Sequence, residues 1–217
     1  FSTPPGLTYG KRAIKEQVKE YKDLILSEKP YLSFIIKRFI FLTGTALAAP
    51  LIPLYLVRVV HASDGWISII NTVQTAVLVL GYFVWTRQSR KHGPSNVLIW
   101  TSLGVALYPL AMSLSQSTWQ ISAFAAMAGI FQAGLDLVFF DELMRTVPVE
   151  YSAIFVSFAQ SIQYLSSVFA PVIGTTIGDS YGLGVGLMIS AAFRLLGFPL
   201  FLWPALKQRI NRRKMSA

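Results

Sequence analysis

In the stretch GYFVWTRQSRKHGP, Gly81 to Pro94, an apolar run ends in Arg87, Arg90, Lys91 and His92, and a glycine and a proline then reset the chain. The run upstream, from about Gly65 to Trp85, is nearly free of charge and has the length of roughly 20 residues that a helix needs to cross the hydrocarbon of a bilayer. A basic knot at the end of such a segment is what the cytoplasmic flank of a membrane span carries.

The rest of the chain repeats the pattern. Six candidate spans are read at about Phe34–Val57, Gly65–Trp85, Asn96–Leu114, Trp119–Phe140, Ser152–Ile177 and Leu183–Ala205. Asp64 is expected to cap the second, and Pro50 and Pro53 to kink the far end of the first. Six spans put both termini and the second and fourth joints on one side. That side holds the cations from Lys11 to Arg38, the knot, Arg145, and the tail from Lys207 to Lys214; the other holds Arg58 alone, a split of 17 to 1. The expected protein is an all-α, multi-pass protein of the plasma (inner) membrane with both termini cytoplasmic. Before the spans, residues 1–30 read as a cytoplasmic linker. In it Ile14, Val18, Tyr21 and Ile25 recur at helical spacing, which fits an amphipathic helix on the membrane surface or a solvated linker helix. Residues 31–217 form the bundle and its basic tail.

Composition closes off other classes. The chain is 53% hydrophobic and only 13% charged, with mean hydropathy +0.53; soluble domains carry about 25% charge. The net charge of +9 would suggest nucleic acid in a soluble chain, but beside six apolar runs it reads as basic loops, with the lipid bilayer as partner and no nucleic acid. There are no cysteines, so disulfides, thiolate metal sites and cysteine nucleophiles are excluded. His61 and His92 fall in expected loops, too far apart for a histidine metal site, so no metal or cofactor is expected. A six-span intramembrane serine protease would need a histidine inside a span, so no enzyme is expected either. The chain opens on Phe1 without a visible signal peptide, which suggests a processed chain, a truncated one or part of something longer.

An internal echo organises the spans. At an offset of 89 residues, NTVQ (Asn71–Gln74) lies over QSIQ (Gln160–Gln163), and Gly93 over Gly182. Three spans separate the two segments, so they cross in opposite directions, as in the inverted three-plus-three repeats of secondary transporters.

Gly81, the basic cluster and Gly93 resemble the joint between the second and third helices in each half of the major facilitator superfamily, G-x-x-x-D-[RK]-x-G-[RK]-[RK]. The acid of that pattern is replaced by Arg90 or absent. FDELMRTVPVEYSAIFVSFAQSIQYLSSVFAPVIG, Phe140 to Gly174, is similar to the passage between the fourth and fifth helices, with a turn at Ala170–Gly174 around Pro171. The resemblance covers about Tyr31 to Lys207. It implies one six-helix half of a major facilitator fold, most like the C-terminal half with its preceding linker. It also implies a second six-helix half as partner, covalent or as a separate chain, and secondary active transport of a small solute by alternating access.

Polar groups inside spans are costly and tend to mark sites. The resemblance sets the first and fourth helices along a central cavity, with the second and fifth beside it. The candidates to line that cavity are Asn71 and Gln74, Gln132 and Asp136 at i and i+4 on one face, and Gln160, Gln163 and Tyr164. Each amide could equally tie two helices together, for about 0.6 kcal/mol. Asp136, the sole acid within a span, is a candidate proton site, because a desolvated carboxylate can take up and release a proton; it could instead pair with Arg90 or Lys91. Asp141 and Glu142 are expected to pair with the cytoplasmic gating joint formed by Gly81, Arg87, Arg90, Lys91 and Gly93. Arg194, in mid-span, must face inward or snorkel, and a structural role is favoured for it. The small-residue stretches AAMAG (Ala125–Gly129) and GLGVG (Gly182–Gly186) are expected to let helices approach closely. The competing reading is a non-transporting structural or assembly subunit of a larger membrane complex. In a transporter, Gln132, Asp136, Gln160 and Gln163 face water; in a scaffold they are sealed between helices.

Overall fold

The computed structural model describes residues 11–215, with side chains for Glu16 and for residues 19–202. The linker before residue 11, the side chains of Ile14 and Val18, and those of the basic tail lie outside the described residues. The element order is α1 (Lys11–Ser27), α2 (Lys29–Arg58), α3 (Asp64–His92), α4 (Pro94–Ser113), α5 (Thr118–Thr146), a 3-10 turn (Val149–Tyr151), α6 (Ser152–Tyr181) and α7 (Leu183–Met215). Six of these, α2 to α7, are long and apolar enough to cross a membrane. The helix α1 forms at the expected place and docks on the bundle through Ile25, which joins the core with Tyr31 and Val147.

The helices α2, α3, α5 and α6 have 29 or 30 residues each. At 1.5 Å per residue they rise about 44 Å, against a hydrocarbon core of about 30 Å. Several turns therefore project past the hydrocarbon. At the end of α3 those turns carry Arg87, Arg90, Lys91 and His92, so the basic knot is helical rather than a loop. Nothing in the sequence stops α3 until Gly93, which ends it at φ +82°. Ser63, not Asp64, is its N-cap. The expected turn at Ala170–Gly174 is likewise absent: α6 runs unbroken through Pro171, as α2 runs through Pro50 and Pro53.

The inverted repeat is visible in the backbone. Lys29 and Thr118, Asp64 and Ser152, and Pro94 and Leu183 open corresponding helices 88 or 89 positions apart. Gly93 and Gly182 cap α3 and α6 in the same positive-φ conformation, φ +82° and +98°, a region that glycine alone enters without strain. The cap bonds repeat as well: Gly93 N–H donates to Ser89 O at 2.9 Å and Gly182 N–H to Gly178 O at 3.0 Å. Packing obeys the same exchange. The pairs α3–α5 and α2–α6 are counterparts, as are α2–α7 and α4–α5, while α4 meets its own counterpart α7. At the first two crossings a glycine admits the partner's backbone. A β-carbon on Gly129 would lie 2.3 Å from Gln74 O, and one on Gly174 would lie 2.4 Å from Leu47 O. Gly129 closes the AAMAG stretch that the sequence marked for close approach.

The core divides into two apolar clusters, one toward each end of the bundle. The cluster at the basic end is built on Tyr31, Phe41, Phe139 and Phe155. The opposite one is built on Leu51, Tyr55, Met112, Ile121 and Leu187. The helices α3 and α6 are the least covered, presenting Leu80, Phe83, Val168 and Val172 outward.

Candidate functional site

At the level of the basic-end cluster, four helices bring polar side chains together. Arg38 lies nine residues into α2 from Lys29, and Gln163 lies eleven into α6 from Ser152. Tyr82 lies ten before the end of α3, and Asp136 ten before the end of α5. All four thus sit roughly 15 Å from the helix ends at the basic side of the bundle.

Within this layer Asp136 is open at the surface of the six-helix unit and is held from two sides. Gln132 Nε2 donates to its Oδ1 at 2.7 Å from the preceding turn of α5, and the Tyr82 hydroxyl reaches Oδ2 from α3 at 3.4 Å. Arg38 crosses from α2 to α6, where its Nη2 donates to Gln163 Oε1 at 2.8 Å. Its guanidinium carbon stands 5.7 Å from the centre of the Phe139 ring, a cation–π contact. Its Nε and Nη1 are buried without a hydrogen-bond partner. Arg38 and Asp136 lie within electrostatic reach of each other but form no direct ion pair. One turn further along α2 and α6, Thr43 and Ser166 share a hydrogen bond of 2.9 Å.

The layer gathers some of the residues expected from sequence and leaves others out. Gln132, Asp136 and Gln163 belong to it. Gln160 is one turn away on α6 and partly exposed, and Tyr164 points outward. Asn71 and Gln74 sit in the opposite half of α3; Gln74 is 18 residues from His92, roughly 27 Å along the helix. That separation follows from inversion, which sends equivalent residues to opposite ends. Arg38 and Tyr82 were missed by sequence reasoning. Arg38 was counted with the flanking cations because the first span was begun at Phe34. The usable signal was Pro30, in the first turn of α2, which starts the helix early and carries Arg38 into its third turn.

At the gating joint the expected ion pairs are not formed. Among the described residues the one salt bridge, at 3.9 Å, joins Arg58 to Asp179 at the opposite end of the bundle. Glu142 accepts a hydrogen bond from the Ser95 hydroxyl at 2.8 Å, because the first turn of α4 comes between it and the end of α3. Asp141 is partly exposed, and Arg87, Arg90 and Lys91 are exposed. Asp136 is likewise held by Tyr82 and Gln132 rather than by Arg90 or Lys91. Gly81 is a packing residue, where a β-carbon would meet Ala133 at 2.9 Å.

Arg194 faces inward and is only 4% exposed. Its Nη1 donates to Val105 O on α4 at 3.1 Å. Four residues beyond Val105 stands Pro109, which has no N–H, so this carbonyl lacks its intrahelical donor. Arg194 supplies that donor. On the same face of α7, Ser190 donates to Gly44 O at 2.7 Å and ties α7 to α2.

The polar layer holds a carboxylate, a guanidinium, two amides and a phenol, within helices long enough to cross a membrane. Such a set can hydrogen-bond a polar solute or bind a proton. Comparison with known proteins identifies the family. A sequence model of the Major Facilitator Superfamily matches residues 35–215. The Multidrug resistance protein MdtG of Enterobacter lignolyticus is 26% identical over 169 residues, 75% of this chain and 40% of the relative. Its namesake in Serratia proteamaculans is 27% identical over 169 residues, with 75% and 41% covered. The one in Dickeya zeae is 20% identical over 198 residues, with 89% and 48% covered. The chain spans less than half the length of these relatives.

Proposed function

Because the chain belongs to the Major Facilitator Superfamily, we propose that it forms one six-helix half of a membrane transporter, which carries a small solute by rocking against a second six-helix half. The basic end of the bundle faces the cytoplasm of a plasma (inner) membrane, following the asymmetry of Lys and Arg. The second half, covalent or separate, covers the open faces of α3 and α6. The solute is a drug-like compound, a reading supported by the relatives named as multidrug resistance proteins.

The observation that carries this reading is the state of the polar layer. Gln132, Gln160 and Gln163 are only partly covered and Asp136 is open. A polar set that served only to fasten helices would be sealed between them. The open carboxylate and the part-exposed amides support a surface that meets water or solute.

The test is accumulation of ethidium, tetraphenylphosphonium and taurocholate in an efflux-deficient bacterial strain that expresses the chain together with its second half. At least one of the three is expected to accumulate less than in cells with the empty vector. Equal accumulation of all three would contradict the proposal.

A further inference from the structure

We propose that the groove between α4 and α5 holds one acyl chain of a bilayer phospholipid, entered from the end of the bundle opposite the basic knot. The proposal rests on the membrane spans and not on the transporter reading.

Two apolar stripes build the groove. On α4, Trp100, Leu107 and Leu114 recur every seven residues, and on α5 Phe124, Met127 and Phe131 follow at steps of three and four, so each set keeps to one face of its helix. Small side chains between them, Ala111 on α4 and Ala128 on α5, leave the space open. Gly104 shapes the inner end: the Phe131 ring lies against it, where a β-carbon would run into the ring. The result is a cleft of about 530 Å³ with almost wholly apolar walls, within the ~300–1,000 Å³ usual for small-molecule sites.

The place of the cleft in the membrane says what fills it. The helix α4 leaves the basic knot at Pro94 and reaches the opposite end of the bundle at Ser113. From Leu114 back to Trp100 the stripe runs about 21 Å along the helix, somewhat more than the ~15 Å depth of one leaflet. Its rim residues Trp100, Leu107, Leu114 and Met127 are exposed. Both helices are long and apolar enough to span a bilayer, so the groove is continuous with their lipid-facing surface. Water finds too few polar partners there to stay, and an unfilled cleft forfeits the dispersion contacts of its walls. A single flexible chain lying along α4 supplies them. The joint beyond Leu114, Ser115 to Thr118, carries no charge. Nothing there selects an ionic headgroup, so the chain itself is what is held, by close packing.

The test uses phosphatidylcholine with a diazirine on its acyl chain, added in trace amount to the chain and its second half in detergent. Adducts formed on illumination are mapped by mass spectrometry. Saturable adducts are expected on the groove residues of α4 and α5, above those on Phe193 and Leu196, which α7 exposes. Unlabelled phosphatidylcholine and phosphatidylglycerol should compete equally. Ala111→Phe, which fills the groove, should lower the groove adducts roughly tenfold, the equivalent of about 1.4 kcal/mol. Met127→Trp, at an exposed position that leaves the fold intact, should lower them in the same direction. Adducts spread alike over groove and α7, or unchanged in both variants, would mean ordinary surrounding lipid and overturn the proposal. Competition by phosphatidylglycerol alone would assign the lipid to cations elsewhere and overturn it too. Suppression by tetraphenylphosphonium but not by phospholipid would make the groove a solute site. Groove residues left unlabelled would place the second half, or a second copy, over them. Either result overturns the acyl chain as occupant.

Discussion

Arg194 shows how one residue in this chain answers another far away in sequence. An arginine in mid-span is costly, and this one has no carboxylate beside it. Its Nη1 is instead spent on the Val105 carbonyl that Pro109 leaves without a donor. Two residues that each break a rule of membrane helices thus correct each other. The prediction belongs to the pair. Arg194→Met should destabilise the protein in detergent, and its cost should fall by roughly 1 kcal/mol when Pro109→Ala has restored the intrahelical bond. A double-mutant cycle by thermal unfolding measures the difference; equal costs in the two backgrounds would contradict it. The sequence showed Arg194 turned inward or snorkelling, but its partner could not be read there. A proline's missing donor is local to α4, and only the packing of α7 against α4 joins the two. Arg38 was hidden for a related reason. Lys37 and Arg38 look like the flank of an apolar run, and only contact with Gln163 and Phe139 makes Arg38 part of an inner layer.

At the scale of elements, the repeat was legible because its marks are backbone requirements. Gly93 and Gly182 stand 89 residues apart since both must end a helix at positive φ. NTVQ and QSIQ lie on the corresponding helices α3 and α6, ten or eleven residues from their starts at Gln74 and Gln163. The spans were legible because the bilayer demands an apolar run for each crossing, although α2, α3 and α5 outlast their runs by about two turns. What periodicity could not give was the fate of those extra turns, including the helical path of Arg87 to His92. The two glycine crossings yield a matched prediction. Gly129→Ala and Gly174→Ala should each cost about 1–3 kcal/mol, because the new β-carbon meets a carbonyl of the opposing backbone and the helices must part. Gly65→Ala, whose nearest neighbour would be 3.8 Å away, should stay within about 0.5 kcal/mol of wild type. Thermal unfolding of the three variants in detergent makes the comparison. A similar loss in all three would mean that glycine is needed for something other than close approach.

For the whole molecule, the account joins two observations: a polar layer left open at one depth, and two helices, α3 and α6, left largely uncovered. Both make sense if a second half stands opposite and the space between fills with water and solute. At the joint between α3 and α4 the cations are exposed and Glu142 is engaged by Ser95. The natural absence of cysteine allows a direct test, because a single introduced cysteine is the sole thiol of this chain. The measurement is labelling of Gln132→Cys by a membrane-impermeant maleimide, with the chain and a cysteine-free second half in membrane vesicles. Trp100→Cys, on the exposed apolar face of α4, serves as the control. The account predicts that the cysteine at position 132 reacts from the aqueous phase and the one at position 100 stays inert, as a water-filled path beside a lipid-facing surface requires. An unreactive cysteine at position 132, in vesicles of either orientation, would contradict it and leave these polar residues as fasteners between helices.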